Sequence, residues 1–324
     1  MRILAVDDDP FILELLEEIV GGLGGHDLTT VENGHDALSL IDAEPAFDCV
    51  MLDIQMPGMS GIEVCHAIRQ LHGYDLTPIL MLTAMSDKKY IDGAFRAGAT
   101  DYLNKPFEVT ELQARVDVLR ALVEARRQAG DTLTRMPSGP RAGVSDAPLS
   151  LYKPFDIRDI DGIVDVVALE NYVARLSRTR LFGSSVFAIS VRRVEQLYLN
   201  TSSFDFQSMI VDIAEALSDT LSRENFMAAY AGNGTFVCVI EGGKLSDFDR
   251  FTDQLNIAIH ALGMHCSDGR PLHVRVCAGQ SSRLMWQSGA SALDTMSQAV
   301  NSAEQEAQRL EKNLENFWYM GASA

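Results

Sequence analysis

Through residues 1–127, short apolar runs alternate with stretches whose apolar residues recur at helical spacing. ILAVD is a strand-like run, and FILELLEEIV behind it repeats its apolar positions every three or four residues. CVMLD, PILMLTA and DYLNK are further strands, with helical stretches near 61–71 and 87–97 and a last helix from about Glu108 to Arg127. Strands that are apolar throughout are buried on both faces, and the helices between them are the crossovers that a parallel sheet requires. This pattern restricts the first part of the chain to an open α/β sheet covered by helices on both sides.

In such a sheet, functional groups collect at the carboxyl ends of the strands, where the winding reverses. Asp7 and Asp8 follow the first strand, Asp53 ends the third, Thr83 ends the fourth and Lys105 follows the fifth. Three carboxylates brought together there suit Mg²⁺, a hard ion that takes oxygen ligands and keeps waters free for exchange with a phosphate oxygen. Beside the metal, Asp53 is placed to act as a nucleophile toward a phosphoryl donor. Thr83 and Lys105 would then hydrogen-bond and neutralise the transferred oxygens. Taken singly, each residue is unremarkable: DDD after a strand is a solvated turn, and Lys-Pro means little. The ordered set carries the chemistry.

The stretches VDDDP, MLDIQMPGMSG, MLTA and LNKPF occur in that order, and over roughly residues 1–122 the chain resembles the receiver domain of two-component response regulators. The resemblance implies a flavodoxin-like, doubly wound (βα)5 domain over 1–125. It implies Asp53 as phosphoacceptor and Mg²⁺ held by Asp7, Asp8, Asp53 and the Gln55 carbonyl. It also implies Thr83 and Tyr102 as the switch pair and a cis Lys105–Pro106 bond. The implied partner is a histidine kinase or phosphotransfer protein.

GDTLTRMPSGPRAGVSDAPLS, residues 130–150, is rich in Gly, Pro and Ser without periodicity, and residues 126–158 are read as a flexible linker. From about 159 to 324 the signals are a helix (VVALENYVARL), a strand (SVFAISV), a helix over about 205–222 and a hairpin (AYAGNGTFVCVI). A helix over about 246–262, a strand (LHVRVCAG) and a long final helix follow. Asn-Gly between two β-prone runs is a strong signal for a type I′ turn. The expectation is an α+β domain with an antiparallel component.

In order and spacing, these segments resemble a GGDEF (diguanylate cyclase-like) domain. Catalysis in that family implies carboxylates that hold metal against GTP. Here the signature is Gly232-Asn233-Gly234-Thr235-Phe236, without either acid. The aspartate closing the first strand falls on Ser190, the guanine-reading pair on Tyr198 and Gln207, and a lysine of the last helix on Glu304. The expectation is a catalytically inactive output domain, not an enzyme, acting through protein interaction or homodimerisation with an unnamed downstream partner. The alternative is a receptor for cyclic di-GMP or GTP at Arg223, the survivor of an RxxD site that here reads Arg223-Glu224-Asn225-Phe226. An active cyclase is the least favoured reading.

Three further expectations come from composition. The formal charge of −18, of which −12 falls on residues 1–130 (10 basic against 22 acidic), argues against a nucleic-acid partner. No apolar run is long enough for a membrane span, which with the early acidic residues suggests a cytoplasmic protein. Cys49, Cys65, Cys238, Cys266 and Cys277 form no CxxC pair and read as buried thiols; His260, His265 and Cys266 have no spacing that completes a zinc site. Finally, Leu293, Met296, Val300, Ala303, Ala307, Leu310, Leu314 and Phe317 make a stripe at steps of three and four, which suits a terminal helix packed on its own sheet or, alternatively, a dimer helix.

Overall fold

The computed structural model describes residues 1–44, 46–84, 88–134, 149–176, 181, 183–242, 248–284 and 289–321, with 129–134, 289–290 and 313–321 described by backbone only. The chain divides into two compact units, Met1–Ala147 and Pro148–Ala324.

The first unit is built from β1 (Arg2–Val6), α1 (Pro10–Leu23), β2 (Asp27–Val31), α2 (Gly34–Ala43), β3 (Cys49–Asp53), α3 (Gly61–Arg69), β4 (Ile79–Thr83), α4 (Lys88–Arg96), β5 (Asp101–Asn104) and α5 (Val109–Thr134). The strands form one parallel sheet in the order β2-β1-β3-β4-β5. This is the doubly wound, flavodoxin-like order, with its switch point between β1 and β3. β3 and β4 are buried at every position, as strands covered on both faces should be. One core layer gathers Ile3, Leu16, Met51, Leu82, Leu112 and Val116 from β1, α1, β3, β4 and α5. β2 (DLTTV) is half-buried at the sheet edge, where Thr and Val suit a strand but give no continuous apolar run. α5 continues to Thr134, beyond the expected end near Arg127: no proline intervenes before Pro137, and Gly130 costs a helix only about 1 kcal/mol.

The second unit contains α6 (Val166–Arg175), β6 (Ser185–Val191), α7 (Val194–Asn200), α8 (Ser203–Leu221), β7 (Asn225–Gly232), β8 (Thr235–Glu241), α9 (Phe248–Ala261), β9 (Val276–Ala278), β10 (Ser282–Arg283) and α10 (Gly289–Gly321). Its sheet is antiparallel, with β6, β8 and β7 adjacent and both β9 and β10 paired to the other side of β6. Beyond β7, the 162–164 stretch adds a short parallel bridge, Ala228 N–H to Gly162 O (2.7 Å) and Val164 N–H to Ala228 O (2.8 Å). Phe187, Phe206, Ile213, Leu217, Phe236 and Leu255 anchor the core between the sheet and its helices. On α10, Met296, Ala303 and Ala307 of the stripe are buried, with Ala292 and Ala299 beside them, while Leu293, Val300 and Leu310 are half-buried; the side chains of Leu314 and Phe317 lie outside the described residues.

The strand read from LHVRVCAG is shorter than expected. Only 276–278 pair with β6, and the Asn256 carboxamide takes Val276's outward groups, donating to its carbonyl (3.0 Å) and accepting from its N–H (2.9 Å). The expected linker is also shorter than 126–158. Residues up to 134 are helical, and Leu151 and Ile157 are part of the second unit's core. Residues 135–148 lie outside the described residues.

Candidate functional site

Three parallel strands deliver the site of the first unit. Asp7 follows β1 and is fully buried, Asp53 is the last residue of β3 with 5% exposure, and Thr83 is the buried last residue of β4. Lys105 follows β5, and its ammonium bridges the two carboxylates, donating to Asp7 Oδ2 at 2.5 Å and to Asp53 Oδ1. Its backbone N–H donates to the Thr83 carbonyl (2.7 Å), and the Lys105–Pro106 bond is cis, as the resemblance implied.

The local sequence fixes this geometry. Asp9 caps α1, accepting from the Phe11 N–H at 3.0 Å, and its own N–H donates to Asp7 Oδ1 at 3.1 Å. After β3, Ser60 and Glu63 form a capping box that starts α3. Gly61 then brings the α3 backbone so close to the strand end that a Cβ there would stand 2.0 Å from the Asp53 carbonyl oxygen.

Burial pushes the Asp53 carboxyl up from its ordinary value, opposed by Lys105 and by a bond from the Gln55 backbone N–H. Burial acts to lower the Lys105 ammonium, yet the bonds to Asp53 and Asp7 outweigh it and hold it above the usual lysine value. Two desolvated carboxylates thus share one cation at the carboxyl edge of the sheet. Asp8 is exposed, and no three His, Cys, Asp or Glu side chains gather as a metal cluster among the described residues. Lys105 draws Asp7 and Asp53 together, while Asp8, next to Asp7 in sequence, is exposed. The same finding bears on His260, His265 and Cys266, which form no metal group either. The oxygen-only donors Asp7 and Asp53, buried and already paired with a cation, fit a hard divalent ion.

Tyr102 is buried on β5, edge-on to Phe95 of α4 with ring centroids 6.0 Å apart. Next to it, Asp101 was missed by sequence reading. It is buried against Arg115 (3.5 Å), and burial lifts its carboxyl to about 6.

In the second unit, Asn233 and Gly234 make the hairpin turn with positive φ at both residues (51° and 65°), and Gly232 also has positive φ. The tip is covered. Asn233 N–H donates to the Leu151 carbonyl (2.6 Å), and a Cβ on Gly232 would stand 2.6 Å from the Tyr152 carbonyl oxygen. Thr235 is buried and donates to Ser190 Oγ (3.0 Å), while Asn233 Nδ2 donates to Glu304 Oε1 (2.9 Å). Gly234 N–H donates to the Tyr230 hydroxyl (3.2 Å), and Phe236 is in the core. Glu195 and Glu304 push the Tyr152 hydroxyl up. The positions at which the resemblance places metal and triphosphate ligands are therefore bonded to one another and to the 151–152 backbone. Sequence reading missed this cover because 130–150 has linker composition, although Leu149, Leu151 and Phe155 mark an apolar return.

Arg223 stands exposed in the turn between α8 and β7. Phe226 is buried, with its ring within 2.5 Å of where a Cβ on Gly162 would lie. It belongs to the core and offers Arg223 no aromatic platform for a nucleotide base. All five cysteines are free and buried. No described helix is long and apolar enough to cross a membrane.

Residues 3–117 match the response regulator receiver domain family. The DNA-binding response regulator MtrA of Mycolicibacterium smegmatis is 43% identical over 115 residues, 36% of this chain and 48% of that protein. The transcriptional regulatory protein TcrA of Mycobacterium tuberculosis is 36% identical over 162 residues, 48% of this chain and 62% of that protein. The chain thus spans about half to three-fifths of these relatives. Among solved structures, chemotaxis protein CheY4 of Vibrio cholerae is 31% identical (TM-score 0.35, 36% of this chain, 97% of that one). The receiver domain of sensor histidine kinase PA1611 from Pseudomonas aeruginosa, solved with magnesium coordinated in its active site cleft, is 28% identical (TM-score 0.34, 38% and 97%).

The relatives' names overturn the expectation that nucleic acid is not a partner. A net charge summed over the whole chain is dominated by its acidic first part, whereas binding to phosphates depends on the local charge of one face. The first unit of this chain is a response regulator receiver domain.

Proposed function

We infer that Asp53 accepts a phosphoryl group from a histidine kinase or phosphotransfer protein and that the second unit reads out this event without catalysis. The observation that carries the reading is the Lys105 ammonium shared by the buried Asp7 and Asp53 carboxylates at the carboxyl edge of the sheet. An Asp53 oxygen attacks phosphorus in line, the P–N bond of the donor phosphohistidine breaks, and the imidazole leaves with the electron pair and takes a proton. Asp7, Asp8, Asp53 and the Gln55 carbonyl are the oxygens that would hold Mg²⁺, which when bound supplies charge neutralisation for the phosphoryl oxygens. Lys105 turns from the Asp53 carboxylate to the new phosphoryl oxygens. Thr83 is the hydroxyl placed to follow it, and Tyr102, packed on Phe95, couples the change to α4.

In the second unit, the covered hairpin tip and the Ser190–Thr235 and Asn233–Glu304 bonds support a GGDEF-like frame without turnover. Its output is a phosphorylation-dependent protein contact or homodimer. Incubation with acetyl phosphate and Mg²⁺ tests the first step: the wild type gains one acid-stable, alkali-labile phosphoryl group and Asp53→Asn gains none. Labelling that persists in Asp53→Asn would refute the assignment. GTP with Mg²⁺ yields no cyclic product in either state, and product formation would refute an inactive output. Because the relatives are named DNA-binding, a duplex-DNA mobility shift belongs in the same set.

A further inference from the structure

The second unit carries a groove of about 1320 Å³ between α9, β9 with the chain leading into it, and α10. A smaller cavity of about 440 Å³ continues it past Arg192, Arg193 and Leu272 toward α7. Along α9, Asp249, Asp253 and Ile257 follow one another at steps of four and so share a face, with Asn256 and His260 on the adjacent stripe. The lining runs along this helix from Asp249 to His260, eleven steps or roughly 16 Å at 1.5 Å per residue.

The charge in this groove departs from that of the protein. In a chain of −18, Arg192, Arg193 and Arg275 line one cavity, and none is in an ion pair among the described residues. Elsewhere in the unit, Arg158, Arg270 and Arg309 each pair with a carboxylate close by in sequence. His260, His265 and His273, the only histidines after residue 148, also line the groove. Arg192 and Arg275 are held together by a backbone bond, Arg192 N–H to Arg275 O (2.8 Å). The floor is apolar, from Ile259, Met264 and Val276, and Ile257 stands 69% exposed at the rim.

We propose that this groove docks an acidic polypeptide segment of a partner protein, one in which apolar residues alternate with Glu or Asp. The arginines and histidines meet its carboxylates, and the apolar floor with Ile257 takes its apolar side chains. Asp249 and Asp253 line the groove from α9 and Glu306 is paired with Arg309, so the segment's carboxylates face the arginines that flank β9, and the apolar floor, which a polyphosphate or duplex would leave unused, favours a peptide. The Asn256 carboxamide already occupies Val276's outward groups, so the segment is held by side chains and adds no strand there. This assignment rests on the reading of the second unit as a protein-docking module and names the chemistry of its partner.

The test is fluorescence anisotropy on the full chain, with a labelled 14-residue peptide of Glu and Leu as probe and a Lys/Leu peptide as control. The wild type binds the Glu/Leu peptide saturably. The double variant Arg192→Glu, Arg275→Glu binds it at least tenfold more weakly and gains affinity for the Lys/Leu peptide, while Arg223→Glu leaves both unchanged. An unaltered thermal transition of the double variant shows that the fold is kept, and the gain of Lys/Leu binding cannot come from an unfolded groove. Equal Glu/Leu binding by wild type and double variant overturns the proposal. So does displacement of the peptide by tripolyphosphate or a duplex oligonucleotide at lower concentration than by unlabelled peptide. GTP turnover would refute the inactive-output reading, whereas a charge-independent peptide affinity refutes the groove alone.

Discussion

Replacing Lys105 by Met removes the cation shared by Asp7 and Asp53 and leaves its aliphatic bulk. Both carboxylates touch the same ammonium, Asp7 at 2.5 Å, so their oxygens are close neighbours once it is gone. Two unit charges about 5 Å apart repel by roughly 3 kcal/mol at an effective dielectric of about 20. That repulsion disfavours the doubly ionised pair and adds to the upward push that burial already gives the Asp53 carboxyl. The sign follows from linkage. With the native-state pKa above the unfolded one, stability is fully present below the unfolded carboxyl value and is lost as pH rises through the native value. The variant's deficit against wild type is therefore about 3 kcal/mol at pH 8 and under about 1 kcal/mol at pH 4.5.

Urea unfolding of the full chain checks this. Far-UV dichroism reads both units, and amide hydrogen exchange within the second unit, Pro148–Ala324, serves as the internal control. Millimolar Mg²⁺ at pH 8 recovers part of the loss, since it stands in for the missing cation. A deficit equal at both pH values would show that Lys105 acts through packing and would refute the charge argument.

Gly61→Ala places a methyl 2.0 Å from the Asp53 carbonyl and 3.2 Å from Ile54 Cα, both backbone atoms. It costs the receiver about 3 kcal/mol or more, visible as a lowered first thermal transition; an unchanged transition would contradict the close approach. The buried Asp101 carboxyl, lifted to about 6, makes receiver stability fall as pH rises from about 4 through 6. A carboxyl NMR titration reads that value directly, and Asp101→Asn removes this part of the pH slope. Asn256→Ala deletes the bonds of 2.9 and 3.0 Å to Val276 and destabilises the second unit by about 1–3 kcal/mol, read by amide hydrogen exchange of that unit in urea.

The receiver half was legible because its information is local. A fully apolar five-residue run such as CVMLD must be buried on both faces, and the carboxylate that ends it then lies at the sheet edge by geometry alone. Asp101 escaped notice because its environment depends on Arg115 of the next helix, a contact that no periodicity announces. In the second half, the Asn-Gly turn fixed the hairpin, but what covers its tip was hidden in a stretch of linker composition. α7 (VEQLYLN) is too short to show a repeat, and Arg193, which opens it with φ of 56°, gives no capping signal. β9 was overestimated because LHVRVCAG alternates like a strand, while its first residues instead bond back to the chain that follows α9, as in Leu272 N–H to Met264 O (2.9 Å). Net charge misled in a different way, since a sum dominated by the acidic first part of the chain says nothing of the local charge of any one face.

The backbone at Leu151 has a mechanical meaning as well as a steric one. The chain that leaves the receiver becomes part of the second unit's core at Leu151, where its carbonyl is already fastened to the hairpin turn. Two residues earlier the Leu149 carbonyl accepts from the Tyr198 hydroxyl, so a pull on this backbone is shared between an anchor on α7 and one at the hairpin turn.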